Sequence, residues 1–216
     1  MTRPAALRLG VPARGMLKHR TLAQLLAPNH LVPGRRRDVD VLLAWGRRPS
    51  ALRVERLAQR WDLPVWHLED GLLRSMAKGR DHPPLALLVD DLGVHFDATV
   101  PSRIEQLIAA PITSAEADRA RALQRLWCDQ RLSKVNPPME AEAPQEPYVL
   151  VVDQSAGDRS IALGLADASC FQRMLQAALD EHPDCTVVLK VHPDVIAGRA
   201  RGHFSAKDLA QPRVRI

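Results

Sequence analysis

Eight residues decide the fold class: Val39-Asp40-Val41-Leu42-Leu43-Ala44-Trp45-Gly46. Their apolar run has the length of a buried strand, and the glycine ends it. A helix is predicted to follow to about Trp61, with Ser50 as its N-cap. A second strand is predicted at Pro64-Val65-Trp66-His67-Leu68. Because a helix between two buried strands returns the chain in the same direction, the pattern predicts a parallel β-α-β unit.

The chain then continues with a predicted hairpin and two predicted helices. The hairpin joins residues 85–89 to residues 93–96. The helices cover about residues 101–110 and 114–132, with Ser102 capping the first and Thr113 or Ser114 capping the second.

A segment rich in proline and glutamate, residues 136–147, has the composition of an exposed linker. It predicts a first domain at residues 1–136, a linker at 137–147 and a second domain at 148–216. In the second domain we expect a strand at 148–153, a polar turn at 154–160, a helix at 168–181 and a strand at 185–191. This is a second β-α-β unit, with fewer strands than a complete parallel sheet usually has. The fold class is therefore α/β.

Composition excludes several classes of protein. The 216 residues are 46% hydrophobic and 25% charged, as in globular proteins. The apolar runs fall well short of the ~20 residues of a transmembrane helix. The three cysteines form no CxxC pair, which argues against a disulfide framework and a structural zinc site. Without a signal-peptide pattern at the start, we expect a cytoplasmic protein.

Charge is unevenly distributed along the chain. Residues 1–135 carry 22 Lys and Arg against 14 Asp and Glu, a net charge of +8, whereas residues 136–216 carry 8 against 11, a net charge of −3. The basic part would attract nucleic acid, phosphate-bearing small molecules or an anionic lipid surface. The alternative is that it serves solubility alone. Aromatic residues, 4% of the chain, do not alternate with basic ones, so we expect no nucleic-acid partner.

Two acidic residues lie in loops that follow predicted strands. Glu69 follows the second strand, and Asp158 lies in the polar turn after the strand at 148–153. Open parallel sheets bind ligands at this edge. Two carboxylates across a cleft can divide acid/base and nucleophilic work in glycosyl chemistry. The alternative is that Glu69 pairs with a nearby arginine and that Asp158 caps a turn.

A histidine follows the last predicted strand. His192 lies after Lys190 and before Pro193, at a position where its ring could hydrogen-bond a phosphate. The same tripeptide at 182–184 follows a helix, which predicts a turn there. The Asp-x-Asp pattern of Asp38 and Asp40 precedes its strand, so we expect no metal site.

Taken together, these motifs resemble the capsule polysaccharide β-Kdo transferases of the KpsC/LipA family, and most closely the amino-terminal of that family's two transferase modules. The resemblance covers nearly the whole chain. It is carried by Ala44-Trp45-Gly46-Arg47-Arg48-Pro49-Ser50, Leu68-Glu69-Asp70-Gly71-Leu72-Leu73-Arg74-Ser75, Val89-Asp90-Asp91-Leu92-Gly93 with Asp97-Ala98-Thr99, and Asp153-Gln154 through Asp158-Arg159-Ser160 with Lys190-Val191-His192-Pro193-Asp194.

The resemblance implies a GT-B-like fold of two Rossmann-type lobes, the second incomplete here. It also implies transfer of Kdo from CMP-β-Kdo, with retained configuration, to an oligo-Kdo linker on lysophosphatidylglycerol. We therefore expect a peripheral protein at the cytoplasmic face of the inner membrane, in contact with capsule assembly proteins. No metal and no cofactor other than the donor substrate are expected.

The resemblance also implies residue roles. Glu69 would be the general acid/base, and Asp158 the nucleophile, with Asp153 as second choice. His192, Pro193 and Lys190 would hold the CMP phosphate. The substrate's carboxylate or phosphate would be contacted by a further polar set: Arg48, Arg74, Gln154 and Ser160.

Two other functions compete with transfer. One is a non-catalytic module of capsule biosynthesis and export that binds a nucleotide or an anionic glycolipid and is inactive because it is truncated. The other is a basic nucleic-acid-binding protein, whose affinity for duplex would fall steeply with salt.

Overall fold

The structure is a computed structural model that describes residues 5–77, 82–136 and 144–216. The chain divides into two compact units, Met1–Met139 and Glu140–Ile216. Most of the expected linker, residues 137–143, lies outside the described residues. No helix in the described ranges is long and apolar enough to cross a bilayer.

The first unit contains a five-stranded sheet in the order β2-β1-β3-β4-β5. The first four strands in that order are parallel, and β5 is antiparallel to β4. The predicted parallel β-α-β unit is therefore confirmed. The strands are β1 (Arg8–Val11), β2 (His30–Pro33), β3 (Val41–Trp45), β4 (Val65–Asp70) and β5 (Leu87–Asp90). The helices are α1 (Leu22–Leu25), α2 (Pro49–Trp61), α3 (Arg103–Ala109) and α4 (Ser114–Asp129), with a 3₁₀ turn at Arg14–Lys18.

Strand β3 is buried on both faces, as its unbroken apolar run predicts. Leu42 packs with Val54 and Ala58 of α2 on one face, and Leu43 packs with Leu22 and other apolar residues on the other face. Burial of this strand between two layers places the end of β3 at a fixed position. The loop that follows it is therefore anchored at its first residue.

Two predicted details of this unit are wrong. Helix α2 begins at Pro49 with Arg48 at its N-cap, because proline's fixed φ suits the first helical position; Ser50 lies inside the helix. The predicted hairpin is absent from the described residues, since residues 93–96 form no strand and β5 pairs with β4 instead. The capping predictions for Ser102 and Thr113 are confirmed, each in a capping box.

The side chain of Asp90 explains why no hairpin forms. It is buried and accepts hydrogen bonds from the backbone N–H groups of Leu92 (2.9 Å), Gly93 (2.9 Å) and Arg103 (2.9 Å). The first two bonds tighten the chain into a turn directly after β5. The third bond anchors the start of α3 to the same carboxylate.

The second unit is a three-stranded parallel sheet in the order β6-β7-β8. Its strands are β6 (Tyr148–Val152), β7 (Thr186–Lys190) and β8 (Val214–Arg215). Its helices are α5 (Arg159–Leu163), α6 (Ala168–Glu181), α7 (Pro193–Ile196) and α8 (Ala206–Leu209). The bounds of α6 are as predicted, but β8 was not predicted, and α5 occupies the end of the predicted polar turn. The α/β class, with Rossmann-type units, is confirmed.

Replacement of Asp90 tests the anchoring of β5 to α3. Asp90→Ala leaves the buried N–H of Gly93 and the partly buried N–H groups of Leu92 and Arg103 without their acceptor, which is expected to lower the free energy of unfolding by about 1–3 kcal/mol. Urea denaturation measures this change. Asp91→Ala is the matched control, because it removes only a half-exposed ion pair to Arg103 (2.7 Å) and is expected to cost less than about 1 kcal/mol. Equal losses in the two variants would contradict this account.

Candidate active site

The carboxyl ends of β3 and β4 meet at Gly46 and Glu69. The N–H of Gly46 donates to the carbonyl oxygen of Leu68 (2.9 Å), which extends the parallel pairing by one residue. Gly46 has a φ of +51°, and a Cβ built on it would overlap the Glu69 carboxylate. Only glycine lets the backbone turn here and leaves room for that carboxylate. Glu69 lies within β4, not in the loop where the sequence placed it.

The environment of Glu69 raises the pKa of its carboxyl above the ordinary value. Burial raises the pKa of the Glu69 carboxyl, and the charge of Asp70 raises it further; a backbone hydrogen bond and the charges of Arg48 and Lys134 oppose the rise. The side chain lines a cavity of about 120 Å³ that Arg103 also borders. A half-buried carboxyl with a raised pKa can exchange a proton closer to neutral pH than an exposed one.

A chain of polar contacts supports the Gly46 turn. The Nδ1 of His67 lies 3.0 Å from the carbonyl oxygen of Gly46, which can only accept, so Nδ1 carries the proton. Burial lowers the pKa of His67, and its Nε2 faces Glu55 at 3.5 Å. Arg47 joins Glu55 (2.9 Å) to the buried Asp97 (3.1 Å). These contacts hold the Gly46 turn in place, and none of them involves the Glu69 side chain.

The two predicted substrate-binding arginines of this unit differ in their surroundings. Arg48 is exposed, and its positive charge acts on Glu69. Arg74 is held in place by an ion pair with Asp70 (3.1 Å) and by a hydrogen bond to the Ser75 hydroxyl (2.7 Å). Among the described residues, the ion pair expected in the alternative interpretation therefore forms with Asp70 and not with Glu69.

His19 is a further residue at this edge, and it was not among the predicted site residues. Its ring stacks on Trp45, the last residue of β3, with centroids 4.8 Å apart. Burial lowers the pKa of His19, and the charge of Asp70 opposes this effect. It was missed because β1 was not predicted, so nothing indicated that the chain after β1 returns to this edge.

In the second unit, the loops after β6 and β7 lie side by side. The N–H of Asp153 donates to the carbonyl oxygen of Lys190 (3.0 Å), so the two strands end together. The Ser160 hydroxyl lies within hydrogen-bonding distance of both Asp158 (2.8 Å) and Gln154 (3.3 Å). Asp158 also caps α5 by accepting from the Ser160 N–H (2.9 Å), as the alternative interpretation expected, and it remains exposed.

Asp153 is enclosed by its neighbours and is only 4% exposed. It accepts hydrogen bonds from the N–H groups of Gln154 (2.8 Å) and His203 (3.2 Å), and the Nδ1 of His203 lies 3.0 Å away. The His203 ring stacks on Phe171 at 3.8 Å, and a Cβ at Gly202 would overlap the Asp153 carboxylate. The role of His203 could not be predicted from the sequence, because 50 residues separate it from Asp153.

His192 is oriented by the residue that follows Pro193. Its Nδ1 accepts a hydrogen bond from the N–H of Asp194 (3.1 Å), so the proton of the neutral ring is on Nε2. Pro193 is the first residue of α7, and Lys190 is exposed at the end of β7. His182, from the other His-Pro-Asp tripeptide, ends α6, which confirms the predicted turn.

No group of three or more His, Cys, Asp or Glu side chains within the described ranges is arranged to hold a metal ion. Asp38, from the Asp-x-Asp pattern, instead hydrogen-bonds Arg36 and Arg8, and these bonds lower its pKa to about 2.

Comparison with known proteins places the chain in one family. The family described as capsule polysaccharide biosynthesis protein matches residues 40–124 and 116–215. The capsule polysaccharide modification protein LipA of Neisseria meningitidis serogroup B is 37% identical over 205 residues, which are 90% of this chain and 29% of LipA. The lipopolysaccharide-processing protein LpsZ of Rhizobium meliloti is 33% identical over 166 residues, 73% of this chain and 38% of LpsZ. The chain thus spans less than a third of the length of LipA.

Two solved structures resemble the chain. The β Kdo 2,4 transferase of Thermosulfurimonas dismutans KpsC is 33% identical, with a TM-score of 0.86 over 98% of this chain and 68% of that one. The β Kdo 2,7 transferase of the same KpsC is 23% identical, with a TM-score of 0.60 over 87% and 62%, and shares the fold. The chain therefore belongs to the KpsC/LipA family of capsule polysaccharide biosynthesis proteins.

Proposed function

We propose that this chain is part of a retaining β-Kdo transferase, which moves Kdo from CMP-β-Kdo to the oligo-Kdo glycolipid linker of capsular polysaccharide. The observation that carries the proposal is the half-buried Glu69 carboxyl, with its raised pKa, beside the Gly46 turn. Likeness to a β Kdo 2,4 transferase along 98% of the chain supports Kdo as the sugar. The reaction would take place at the cytoplasmic face of the inner membrane, among capsule assembly proteins.

In the first step, a carboxylate oxygen of Asp158 attacks the anomeric carbon of Kdo. The bond to the phosphate breaks, and CMP leaves with its electron pair. The Nε2–H of His192 donates to the phosphate, and the Lys190 ammonium offsets its charge. This step inverts the configuration and leaves Kdo covalently bound to the enzyme.

In the second step, an acceptor hydroxyl attacks the same carbon while Glu69 takes its proton. The bond to Asp158 breaks, and the second inversion restores the original configuration. A carboxylate with a raised pKa is a stronger base, which suits Glu69 to this role. The exposed Arg48 would pair with the carboxylate of Kdo.

Asp158 suits the nucleophile's role better than Asp153 because its carboxylate is exposed to solvent, where a sugar could reach it. Asp153 is enclosed by Gly202 and His203, and we assign it the positioning of the loop after β6. Gln154 and Ser160 would orient Asp158 through the hydroxyl that contacts both. Arg74, held by Asp70, would shape the loop after β4.

Nucleotide binding is tested by replacing each of two histidines that lie in the same tripeptide, His-Pro-Asp. The chain is expected to bind CMP in calorimetry, and His192→Ala is expected to weaken binding about tenfold or more, since a charge-assisted hydrogen bond to phosphate is lost. His182→Ala is the matched control, because His182 also precedes Pro-Asp but ends a helix. Equal affinities in all three proteins would contradict the proposed role of His192.

Glu69→Gln tests the proton transfer. Transfer from CMP-Kdo is expected to fall about 10²–10⁴-fold while CMP still binds, because the amide keeps the shape but cannot take a proton. In the parent, the rate is expected to rise with pH as Glu69 ionises, at a pH above its ordinary pKa because the pKa is raised; this limb should be absent in the variant.

Glu116→Gln is the control for that measurement, since Glu116 is exposed and serves a capping box on α4. Its rate and pH profile are expected to match those of the parent. A folded parent that binds CMP without any transfer would instead support the non-catalytic module.

A further inference from the structure

The first unit has a second concave surface, apart from the cavity beside Glu69. It lies between α2 and the segments that follow β1 and β2, and its volume is about 610 Å³. We name it the arginine groove after the four arginines that line it, Arg35, Arg53, Arg56 and Arg60. Its other lining residues are uncharged, and they include Val54 and Leu57.

The groove concentrates positive charge by helix geometry. Arg53, Arg56 and Arg60 are three and four residues apart, so they project from one side of α2. Arg35 joins them from the loop after β2, and all four side chains are exposed. In the described part of the chain, none of the four forms an ion pair.

Two carboxylates on the segments that form the groove are paired with arginines outside it. Glu55, on the same helix, pairs with Arg47 at 2.9 Å. Asp38, in the loop that also holds Arg35, pairs with Arg8 (2.8 Å) and Arg36 (3.0 Å). The four positive charges therefore repel one another, and an anionic ligand would relieve that repulsion.

Shape and chemistry narrow the class of ligand. Guanidinium groups match carboxylates and phosphates through paired hydrogen bonds. A row of them fits a ligand with anionic groups at intervals along a chain. The groove is concave, which suits an extended oligomer more than a flat lipid surface. The partly exposed Leu57 adds apolar contact, against which the C–H faces of sugar rings can pack.

We infer that the arginine groove binds an acidic oligosaccharide, with carboxylates of successive sugars pairing with successive arginines. The inference rests on the proposed function and deepens it: an acceptor built from Kdo carries one carboxylate per sugar. One end of the groove, at Ser50 in the first turn of α2, lies at the edge of the sheet that carries the Gly46 turn, and Arg60 in the last turn of α2 lines the other end. It would hold the part of the acceptor already made while the chain end reacts.

The test measures binding of trigalacturonic acid, which has three carboxylates, with uncharged maltotriose as the ligand control. Calorimetry compares the parent with Arg53→Gln/Arg60→Gln, which keeps helix-forming residues on α2. The double variant is expected to bind the acid about tenfold or more weakly, and parental affinity is expected to fall with added salt. Maltotriose is expected to bind neither protein.

Arg119→Gln/Arg125→Gln is the matched control. It removes two exposed arginines from α4 and changes the net charge equally, so it is expected to bind like the parent. Equal weakening in both double variants would overturn the inference, because the effect would then come from net charge alone. It would also be overturned if duplex DNA or phosphatidylglycerol vesicles, and not the trisaccharide, showed the binding that Arg53→Gln/Arg60→Gln removes.

Failure of this inference can be separated from failure of the proposed function. The binding test needs neither CMP nor transfer. If the parent transfers Kdo but Arg53→Gln/Arg60→Gln binds the trisaccharide as tightly as the parent, the inference is overturned and the proposed function stands. If the parent binds the trisaccharide through the groove but transfers no Kdo, the inference stands and the proposed function is overturned.

Discussion

The parallel pairing of β3 with β4 is the constraint on which the first unit and its candidate site depend. Trp45 lies opposite Leu68, and the next N–H, that of Gly46, donates to the Leu68 carbonyl oxygen. This register brings the Glu69 carboxylate against the glycine. A shift by one residue would turn Glu69 to the opposite face of the sheet, because side chains alternate along a strand. The sheet and the position of the carboxyl are thus determined together.

Both units stabilise their loops with buried charges and leave other charges exposed. Arg47 is enclosed between Glu55 and Asp97 beneath the Gly46 turn, and Asp153 is enclosed with His203 beneath the loop after β6. Buried charges persist in proteins when they are paired, and truncation of one partner is costly. Asp158 lies in the loop that Asp153 and His203 stabilise, and its carboxylate remains exposed. Rigid loops of this kind would suit the proposed transfer, because that reaction requires its reacting atoms to be held in place.

Long apolar runs and strong caps made much of the fold predictable. The run before Gly46 indicated β3, and the caps Ser102 and Thr113 indicated α3 and α4. The strands β1, β2 and β8 were missed because each is only two to four residues long and lies outside any longer apolar run. The hairpin prediction failed because the N–H groups that bind Asp90 include one from α3, which local patterns cannot reveal.

The parts of the candidate site that follow predicted strands could be predicted from the sequence. Loops after β3, β4, β6 and β7 were found because polar residues follow their apolar runs. His203 and the arginine groove were missed because each depends on contacts between segments distant in the chain.

The most direct test of the account is the mass of Glu69→Gln after incubation with CMP-Kdo. If the reaction proceeds through a covalent intermediate, removal of the base should slow its breakdown, and we predict a protein heavier by one Kdo residue. Peptide mapping is predicted to place that mass on Asp158, with no added mass in the Glu69→Gln/Asp158→Asn double variant. An adduct on Asp153, or no adduct in a folded variant that binds CMP, would contradict the account.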